Sequence, residues 1–568
     1  MAVEQFGAWS IVPPLLAIAL AVFTRQAVLS LFLGVWSGGV IFTYAASSTW
    51  VTDGLAGFGI PAADALGAVL GVGVALVLGL VTTFDWIVQA VDDFHVQILI
   101  FTLLLGSAVA FMWTLGGSHA VRDWALKRLD TQRQVGAAAF VLGLLLFFDD
   151  YANTAIVGST TKDVADNLRI SREKLAYIVD STAAPVATLA ISSWVAFQLS
   201  LIDDGYAIAG VENHPPVVEV FVNSIPFNMY SILAIVMVGI VVLSGRDYGE
   251  MLSAENRSWR TGEVTRSTAR PLQDVAAELG DPHAETPRLV SFFAPIGVLV
   301  VVTLSSVLWT GYAPGASLWD MVTNADYAAA LIYGSFATVG TGFWIASRYE
   351  IMGLAESVDT TINGFGIMLT AVSILVLAWA IGVVVESLGT GEYVAGIAEQ
   401  VLDPALLPVV VLLVAAAISF STGTSWGTMS ILTPIAVPVA WSLTGDHTMV
   451  AAVVGTIFSG AIFGDHTSPI SDTTVLSSTF TGADLIDHVR TQLYYAVTVA
   501  LVALVLLLVW GYLGISPLVL LPLGMIALVG LVYGLSEFDA QRKGIEPIAS
   551  HGPRENTDSD EGASGQEG

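Results

Sequence analysis

Residues 147–163, FFDDYANTAIVGSTTKD, place two adjacent aspartates at the end of an apolar run. The first basic residue that follows them is Lys162. Carboxylates without a basic neighbour are costly in an apolar environment, because the charge loses its hydration there. The stretch therefore predicts a membrane segment that is interrupted at a functional site.

The composition of the whole chain is that of a membrane protein. Of its 568 residues, 55 % are hydrophobic and only 12 % are charged, and the mean hydropathy is +0.75. Apolar stretches long enough to cross a hydrocarbon core of about 30 Å recur along almost the whole length. Because an open sheet cannot satisfy its backbone in lipid, these segments must be helical. We predict an all-α polytopic membrane protein with about 11 to 13 transmembrane helices.

The distribution of basic residues predicts the topology and the domain division. Polar segments rich in Lys and Arg are expected in the cytoplasm, and those without them outside. The segment 203–219 contains no Lys or Arg and is placed outside, whereas the long polar loop 245–289 is placed in the cytoplasm. The predicted units are an N-terminal membrane half at 1–244, the loop at 245–289, a C-terminal membrane half at 290–540 and a disordered acidic tail at 541–568.

The net charge excludes some classes of partner. The chain has 48 acidic and 20 basic residues, which gives a net charge of −28, so a polybasic surface for nucleic acid is excluded. Such an acidic chain suits a salt-rich environment that screens self-repulsion, and we predict a halophilic source. There is no cysteine, so disulfides and thiolate metal sites are excluded. Residues 11–23 are predicted to be a retained helix and not a signal peptide.

Polar interruptions occur in matching pairs in the two halves. They lie at 148–154 and 180–194 in the first half, and at 419–428 and 464–474 in the second. Corresponding interruptions of this kind indicate a transporter whose site is built from broken helices near the middle of the bilayer. We therefore predict two structural repeats.

The interruptions offer oxygen ligands. Pro185 and Pro469 have no N–H, which frees the carbonyl groups of Ser181 and Asp465 four residues before them. Carboxylates, hydroxyls and freed carbonyls within one turn form an all-oxygen set that suits a small hard cation. Helical spacing places three groups on one face in each half: Asp150, Asn153 and Thr154 in the first, and Asp465, Ser468 and Asp472 in the second.

The apolar windows contain carboxylates but no Lys or Arg. A charge near the centre of a membrane helix costs on the order of 3 kcal/mol. The countercharge must then be a proton, a metal cation, or both in turn, and competition between them combined with alternating access defines an antiporter. The carboxylates concerned are Asp149, Asp150, Asp180, Glu386, Asp465 and Asp472.

Several of these residues have structural interpretations as well. Any single Ser or Thr in the interruptions can be a hydroxyl that packs helices together. His466 is either a hydrogen-bonded structural group or a pH-sensitive neighbour of the site. Glu386 either contacts ions or has a structural role, in which it caps a helix or forms an ion pair elsewhere. Asp149 and Asp150 point about 100° apart on a helix, so only one of them is expected to be a direct ligand.

At these residues the sequence resembles the NhaC-type sodium/proton antiporter family. The resemblance lies in FFDDYANTAIVG, ISREKLAYIVDSTAAPVATLAISSW, STGTSWGTMSILTPIAVP, and GDHTSPISDTTVLSS followed by DHVRTQ. It implies inverted repeats with re-entrant hairpins, and Na⁺ bound at Asp150, Asp180 and Asp465. The neighbourhood of the ion and proton site that it implies consists of Asp149, Asp150, Asn153, Asp180, Ser181, Thr182, Thr424, Ser425, Asp465, His466, Ser468 and Asp472.

The sequence thus predicts a secondary active transporter of the cytoplasmic membrane that exchanges Na⁺ for H⁺ and is not an enzyme. Its expected partners are the two ions and the bilayer, with no cofactor and no nucleic acid, and a homo-oligomer is left open. The alternative is a sodium- or proton-coupled carrier of a small organic acid or amino acid. An organic anion needs a positive partner, and no Arg lies inside the motifs, which favours the bare cation.

Overall fold

The computed structural model describes residues 6–24, 27–58, 60, 63–147, 150–189, 192–269, 283–284, 286–318, 321, 325–390, 393, 396–397, 402–423, 425–469 and 471–552. Within these residues the chain forms 21 α-helices and no strand. The predicted all-helical fold is confirmed.

The helices of the first half are α1 Val12–Thr24, α2 Ala27–Gly57, α3 Ala63–Gln89, α4 Asp93–Thr114, α5 Gly117–Leu126, α6 Gln132–Leu145, α7 Asp150–Asn167, α8 Arg172–Ala187, α9 Ser193–Ile208, α10 Val217–Ser224, α11 Met229–Ser244 and α12 Gly249–Thr261. Those of the second half are α13 Val290–Thr310, α14 Tyr327–Arg348, α15 Leu354–Ser387, α16 Leu407–Thr422, α17 Ser425–Thr444, α18 His447–Thr467, α19 Asp472–Thr481, α20 Leu485–Leu513 and α21 Pro517–Lys543.

Many of these helices are long and apolar enough to cross a membrane. Among the described residues there are nine such helices, or up to ten if the bent pair Val28–Tyr44 and Ser47–Gly57 forms one span. The sequence predicted about 11 to 13 segments. The structure also has apolar helices of 10–17 residues, such as Val217–Phe227 and Pro404–Phe420, which are shorter than a full span. The chain is a multi-pass membrane protein.

Small residues allow α2 and α3 to pack with their backbones in close contact. Gly67, Gly71, Ala75 and Gly79 recur every four residues on the buried face of α3. A Cβ atom added at Gly79 would lie 2.6 Å from the backbone nitrogen of Val40 on α2. Such stripes of small residues are a common way to pack helices in lipid, where no hydrophobic effect drives the helices together.

We expect Gly79→Val to destabilise the protein. The added side chain must push α2 and α3 apart, and overpacking of this kind costs about 1–3 kcal/mol. Thermal unfolding in detergent measures the effect as a lower transition temperature. Gly73→Val is the matched control, because a Cβ atom at Gly73 on the same helix meets nothing within 4 Å. Equal transition temperatures for the two variants would contradict the close packing.

Helix ends lie within each of the four intervals that the sequence marked as polar. α7 begins at Asp150, α8 ends at Ala187, α16 ends at Thr422 and α18 ends at Thr467. α8 packs against α7, α11, α19 and α20, and α18 packs against α16, α17 and α20. This arrangement brings α8 of the first half next to α19 of the second. The relation of the two halves as inverted repeats stays a prediction.

The predicted cytoplasmic loop contains a polar helix. α11 ends at Ser244, and Gly245 follows with a left-handed backbone at φ +67°. α12 lies beyond this apolar helix and is rich in charged side chains, so we place it outside the membrane. The predicted tail boundary at 541 falls inside α21, which ends at Lys543, and a 3₁₀ turn follows at Ala549–His551. Residues 553–568 lie outside the described residues.

Candidate functional site

Asp180 lies in α8, and its side chain is fully buried. Its Oδ2 atom accepts a hydrogen bond from the side-chain amide of Gln492 at 2.6 Å and one from the Thr474 hydroxyl at 3.3 Å. The Nε2 atom of His488 lies 3.4 Å from the same oxygen. His488 and Gln492 are one turn apart on α20, so one face of α20 is directed at the Asp180 carboxylate.

Asp465 lies in the last turn of α18 and is also fully buried. Its Oδ1 atom accepts a hydrogen bond from the Ser471 hydroxyl, and its Oδ2 atom accepts one from the Thr473 hydroxyl, both at 2.6 Å. Ser471 is the N-cap of α19 and accepts a further hydrogen bond from the backbone N–H of Thr474. The hydroxyl donors and the positive end of the helix dipole both stabilise a negative charge at this position.

Thr474 connects the two aspartates. Its hydroxyl lies 3.3 Å from Oδ2 of Asp180 and 3.1 Å from the backbone carbonyl oxygen of Asp465. This carbonyl also accepts a hydrogen bond from the backbone N–H of Ser468 at 3.3 Å, while Pro469 has no N–H to donate to it. Asp180 and Asp465, which are 285 residues apart in the sequence, therefore contact the same hydroxyl, one through its carboxylate and the other through its backbone carbonyl.

His466 belongs to the same buried network. Its Nδ1 atom lies 3.1 Å from the Tyr230 hydroxyl, and its backbone carbonyl accepts a hydrogen bond from Gln492 at 2.7 Å. Gln492 thus binds both Asp180 and the end of α18. The structure gives His466 hydrogen bonds that a structural role requires, and it also places this titratable ring beside the site.

Several buried polar atoms of this network have no hydrogen-bond partner among the described residues. They are Oδ1 of Asp180, Nε2 of His466, Nδ1 of His488 and Oε1 of Gln492. Buried polar atoms are nearly always hydrogen-bonded in folded proteins, so each exception indicates a position where something else binds. Four such atoms on mutually contacting residues mark this network as the candidate site.

Asp150 and Asn153 hold the beginning of α7. Oδ1 of Asp150 accepts a hydrogen bond from the indole N–H of Trp194 at 3.1 Å. The Asn153 amide donates to the carbonyls of Gly143 and Thr182 at 2.7 and 2.9 Å. Asn153 therefore ties α6 and α8 to α7, which is a positioning role in this structure.

The other predicted residues divide into four groups. The Thr182 hydroxyl donates to the carbonyl of Ile178 on its own helix. This agrees with a structural role for the hydroxyl and not with a role as a ligand. Ser181, Ser425 and Ser468 are buried, and Ser468 follows the last residue of α18. Asp472 is the first residue of α19. Asp149 and Thr424 lie outside the described residues.

The possible cation ligands around Asp180 and Asp465 are mainly oxygen atoms. Among the described residues, no group of three His, Asp or Glu side chains is arranged to hold a metal ion. Around Asp180 and Asp465 the further oxygens are hydroxyls and a backbone carbonyl. Hard monovalent and divalent cations prefer such neutral and charged oxygens, so the set is chemically suited to Na⁺ more than to a transition metal.

Glu386 lies apart from this network. It lines a cavity of about 170 Å³ together with Asp92, His95 and Asp204. Asp204 belongs to the segment that the sequence places outside the membrane. Glu386 therefore faces a separate acidic cavity and has no place in the network of Asp180.

Comparison with known proteins places the chain in a family. A model of the Na⁺/H⁺ antiporter family matches residues 186–512, which is more than half of the chain. The chain belongs to the Na⁺/H⁺ antiporter family. The matched region includes Asp465, His466, His488 and Gln492. Membership makes the protein a membrane transporter of the antiporter type, and the predicted NhaC-type resemblance is confirmed.

Individual relatives are consistent with this family. An uncharacterized protein of Haemophilus influenzae is 32 % identical over 499 residues, covering 87 % of this chain and 88 % of its own. The Na⁺/H⁺ antiporter NhaC of Alkalihalophilus pseudofirmus is 28 % identical over 167 residues, covering 29 % and 36 %. The malate-2H⁺/Na⁺-lactate antiporter of Bacillus subtilis is 32 % identical over 226 residues, covering 40 % and 44 %.

A solved structure has a similar fold. The YdaH transporter of Alcanivorax borkumensis superposes with a TM-score of 0.52 and 15 % sequence identity, covering 77 % of this chain and 90 % of its own. At this identity the likeness concerns the fold alone.

Sequence reasoning did not include His488 and Gln492 among the site residues of this antiporter-family protein. Both stand in DHVRTQ, a stretch that carries the family resemblance. The available signal was a His and a Gln four residues apart, directly before the apolar part of α20. The hydroxyls of Ser471, Thr473 and Thr474 were also missed, because only the fold shows which of the many hydroxyls face a carboxylate.

Proposed function

We propose that the protein exchanges Na⁺ for H⁺ across the cytoplasmic membrane, and that Asp180 and Asp465 bind the ion and the proton in turn. The observation that carries this proposal is the buried network in which the Thr474 hydroxyl links the Asp180 carboxylate to the backbone carbonyl of Asp465. α18 contains no Lys or Arg, and α8 contains none after Lys174. With no Lys or Arg there, the transported species is the neutralising charge in this proposal.

Competition between the two species follows from the chemistry of the carboxylates. A carboxylate near the centre of a membrane costs on the order of 3 kcal/mol, and either a bound proton or a bound Na⁺ removes most of that cost. Both species bind to the same oxygens, so each displaces the other. Only the neutralised site then crosses the membrane readily, which couples the movement of one ion to that of the other.

The surrounding groups supply the remaining ligands and the orientation. The hydroxyls of Ser471, Thr473 and Thr474 and the carbonyl of Asp465 are oxygens that can replace part of the hydration shell of Na⁺. The amide of Gln492 fixes one oxygen of Asp180 and leaves the other for the transported species. Asp150 remains part of this proposal as a third carboxylate at the start of α7, with Asn153 as the residue that positions it.

The helix ends beside the site suggest how access alternates. α18 ends at Thr467, two residues after Asp465, and α19 begins at Asp472, directly after its N-cap Ser471. α19 packs against α7 and α8 of the other half. If the two halves are inverted repeats, a movement of these helices opens the same carboxylates to each side in turn.

Proton movement in proteoliposomes tests the proposal. The protein is reconstituted into vesicles with an acidic interior and an internal pH dye, and NaCl, LiCl, KCl or choline chloride is added outside. We expect rapid alkalinisation of the interior with NaCl and none with choline chloride, because Na⁺ enters as H⁺ leaves. A response to no cation would overturn the proposal.

The same vesicles distinguish the alternative cargo. The Bacillus subtilis relative is named for malate and lactate, and in a carrier of organic acids the side chains of His466 and His488 would lie beside the bound anion. Vesicles loaded with a sodium gradient are given radiolabelled malate, lactate or arginine. Uptake of one of these without cation-dependent alkalinisation would replace Na⁺/H⁺ exchange by coupled transport of that solute.

A further inference from the structure

Three buried charged side chains meet at the beginning of α8, on the side of the molecule that the sequence predicts to be cytoplasmic. The Nζ atom of Lys174 lies 2.7 Å from Oδ2 of Asp247 and 3.4 Å from Oε2 of Glu255. Both carboxylates are almost completely buried, and the Lys174 side chain is 10 % exposed. We call these three residues the basal triad. With all three ionised, the basal triad carries one negative charge in excess.

Neighbouring ion pairs at the same level do not have this excess. Arg172 binds Asp166 at 3.0 Å, and Arg257 binds Glu173 at 2.9 Å, so each of these carboxylates has its own guanidinium. An uncompensated charge among buried groups costs several kcal/mol. Binding one further positive charge would therefore stabilise the basal triad, whereas the neighbouring pairs are already neutral.

The two carboxylates of the triad are held differently. Asp247 accepts short hydrogen bonds at both oxygens, from Lys174 at 2.7 Å and from the Tyr495 hydroxyl at 2.8 Å. Glu255 accepts one from the backbone N–H of Ser171 at 2.8 Å, while its distance to Lys174 is longer. Hydrogen bonds to the ionised form stabilise that form. Asp247 is thus the carboxylate with short hydrogen bonds at both oxygens, and Glu255 is the one with an oxygen left more loosely held.

Glu255 also has access to water. It lines a cavity of about 90 Å³ with Lys174, Gln132 and Arg133, and the cavity wall continues with residues 548–551 near the C-terminal end of the described chain. Such a volume accommodates water molecules. Arg133 is exposed, so solvent screens its charge, and His551 is the remaining titratable group of the cavity wall.

The basal triad and the Asp180 network lie on the same pair of helices. Lys174 and Asp180 are six residues apart on α8, which corresponds to about 9 Å along the helix axis. On α20, Tyr495 contacts Asp247 and Gln492 contacts Asp180. The interface between α8 and α20 therefore carries two polar levels, with the basal triad on the cytoplasmic side of the candidate site.

We propose that the basal triad is a second proton-binding site, at which Glu255 exchanges a proton with the cytoplasm. A hydronium ion in the cavity gives a proton to the Glu255 carboxylate and leaves water, and the reverse step releases the proton. The position of the triad beneath Asp180 makes Glu255 a proton relay of the exchange cycle. This role in the cycle rests on the proposed Na⁺/H⁺ exchange, whereas proton binding at Glu255 does not.

The electrostatic surroundings agree with this assignment. Burial raises the pKa of the Glu255 carboxyl most, Lys174 lowers it, and the charge of Asp247 raises it again. The other titratable groups that face the triad are the phenols of Tyr177, Tyr248 and Tyr495, which stay neutral near pH 7.

Infrared spectroscopy of the full-length protein tests proton binding directly. A protonated buried carboxyl has a C=O stretching band that an ionised carboxylate lacks. We expect wild-type protein at neutral pH to show such a band and Glu255→Gln to have lost it. Glu250→Gln on the same helix is the control, because Glu250 is one-third exposed and pairs with Arg266 and Arg490. A band that is unchanged in Glu255→Gln at every pH would overturn the proposal.

A second variant changes the charge balance and keeps Glu255. In Asp247→Asn the triad has one Lys and one carboxylate, so the excess charge is gone. We expect the Glu255 band to titrate away at a pH lower by about one unit, since a like charge beside it has been removed. A band that titrates at the wild-type pH in this variant would overturn the role of the charge excess.

Transport measurements separate the relay from the exchange itself. Glu255 must be deprotonated to accept a proton from the site, so exchange should rise with cytoplasmic pH as Glu255 ionises. In Asp247→Asn this rise should move to lower pH by about one unit, and in Glu255→Gln it should be absent. Exchange in Glu255→Gln with the wild-type pH profile would overturn the relay role. If wild-type vesicles show no exchange, the proposed function fails, and the infrared band still tests the proton site.

Discussion

Na⁺-dependent alkalinisation is expected to be lost in Asp180→Asn, although the variant protein folds. An asparagine keeps an oxygen for the hydrogen bonds from Gln492 and Thr474, but it cannot bind a proton or offer a charge to Na⁺. Substitution of a residue that only hydrogen-bonds to a metal ligand already lowers the affinity for the metal by about 10–100-fold. Loss of the carboxylate itself should then lower the initial rate by at least about 100-fold.

The control for this variant is Asp123→Asn. Asp123 lies on α5 next to Arg122, and its side chain is close to half exposed. The same chemical change there should leave the exchange rate near that of the wild type. Retention of more than about half of the wild-type rate in Asp180→Asn would show that this carboxylate is structural, because a transport carboxylate cannot be replaced by an amide.

The fold class and the positions of the helix ends could be predicted from the sequence. A membrane helix needs a long apolar run, and a Pro, Gly or carboxylate within such a run disturbs the helix locally, so both signals are short-range. Asp150, Ala187, Thr422 and Thr467 accordingly fall inside the four intervals that the polar residues marked. The number of membrane-spanning helices was harder to predict from the sequence, because helices of 10–17 residues are apolar but too short to cross the membrane.

The partners of the carboxylates could not be predicted in the same way. Gln492 binds Asp180 across 312 residues of sequence, and no local pattern encodes which side chain of a distant helix meets a given aspartate. The same holds for the partners of Lys174. In the fold it is buried between Asp247 and Glu255, because α12 folds back onto the base of α8.

Individual hydroxyls show where pattern reasoning is limited. Thr182 stood in the motif beside Asp180, yet its hydroxyl bonds to its own helix. Thr474 had no signal of its own, yet its hydroxyl bonds both the Asp180 carboxylate and the backbone carbonyl of Asp465. Position on a helix decides between these outcomes, and that position depends on the packing of α19 against α8, which is set by the whole fold.

Binding of Na⁺ is expected to be weakened in Asp465→Asn, and this can be measured without transport. A ligand that binds only the folded protein raises its stability in proportion to RT ln(1 + [L]/Kd). We therefore expect NaCl, but not choline chloride at equal ionic strength, to raise the thermal transition temperature of the wild type in detergent. In Asp465→Asn this difference should disappear, which corresponds to a fall in affinity of about tenfold or more.

The comparison with Thr473→Val separates a ligand from a structural group. Asp465 accepts two short hydroxyl bonds and Asn keeps only one acceptor oxygen, so Asp465→Asn also removes one of these two bonds and should cost about 1–3 kcal/mol of stability. Thr473→Val removes one of these bonds and keeps the charge. If Asp465 only fastens α18 to α19, both variants lose stability and both keep the response to Na⁺. If it binds the ion, Thr473→Val still responds to Na⁺ and Asp465→Asn does not, because the charge and not the hydroxyl provides most of the attraction for a cation.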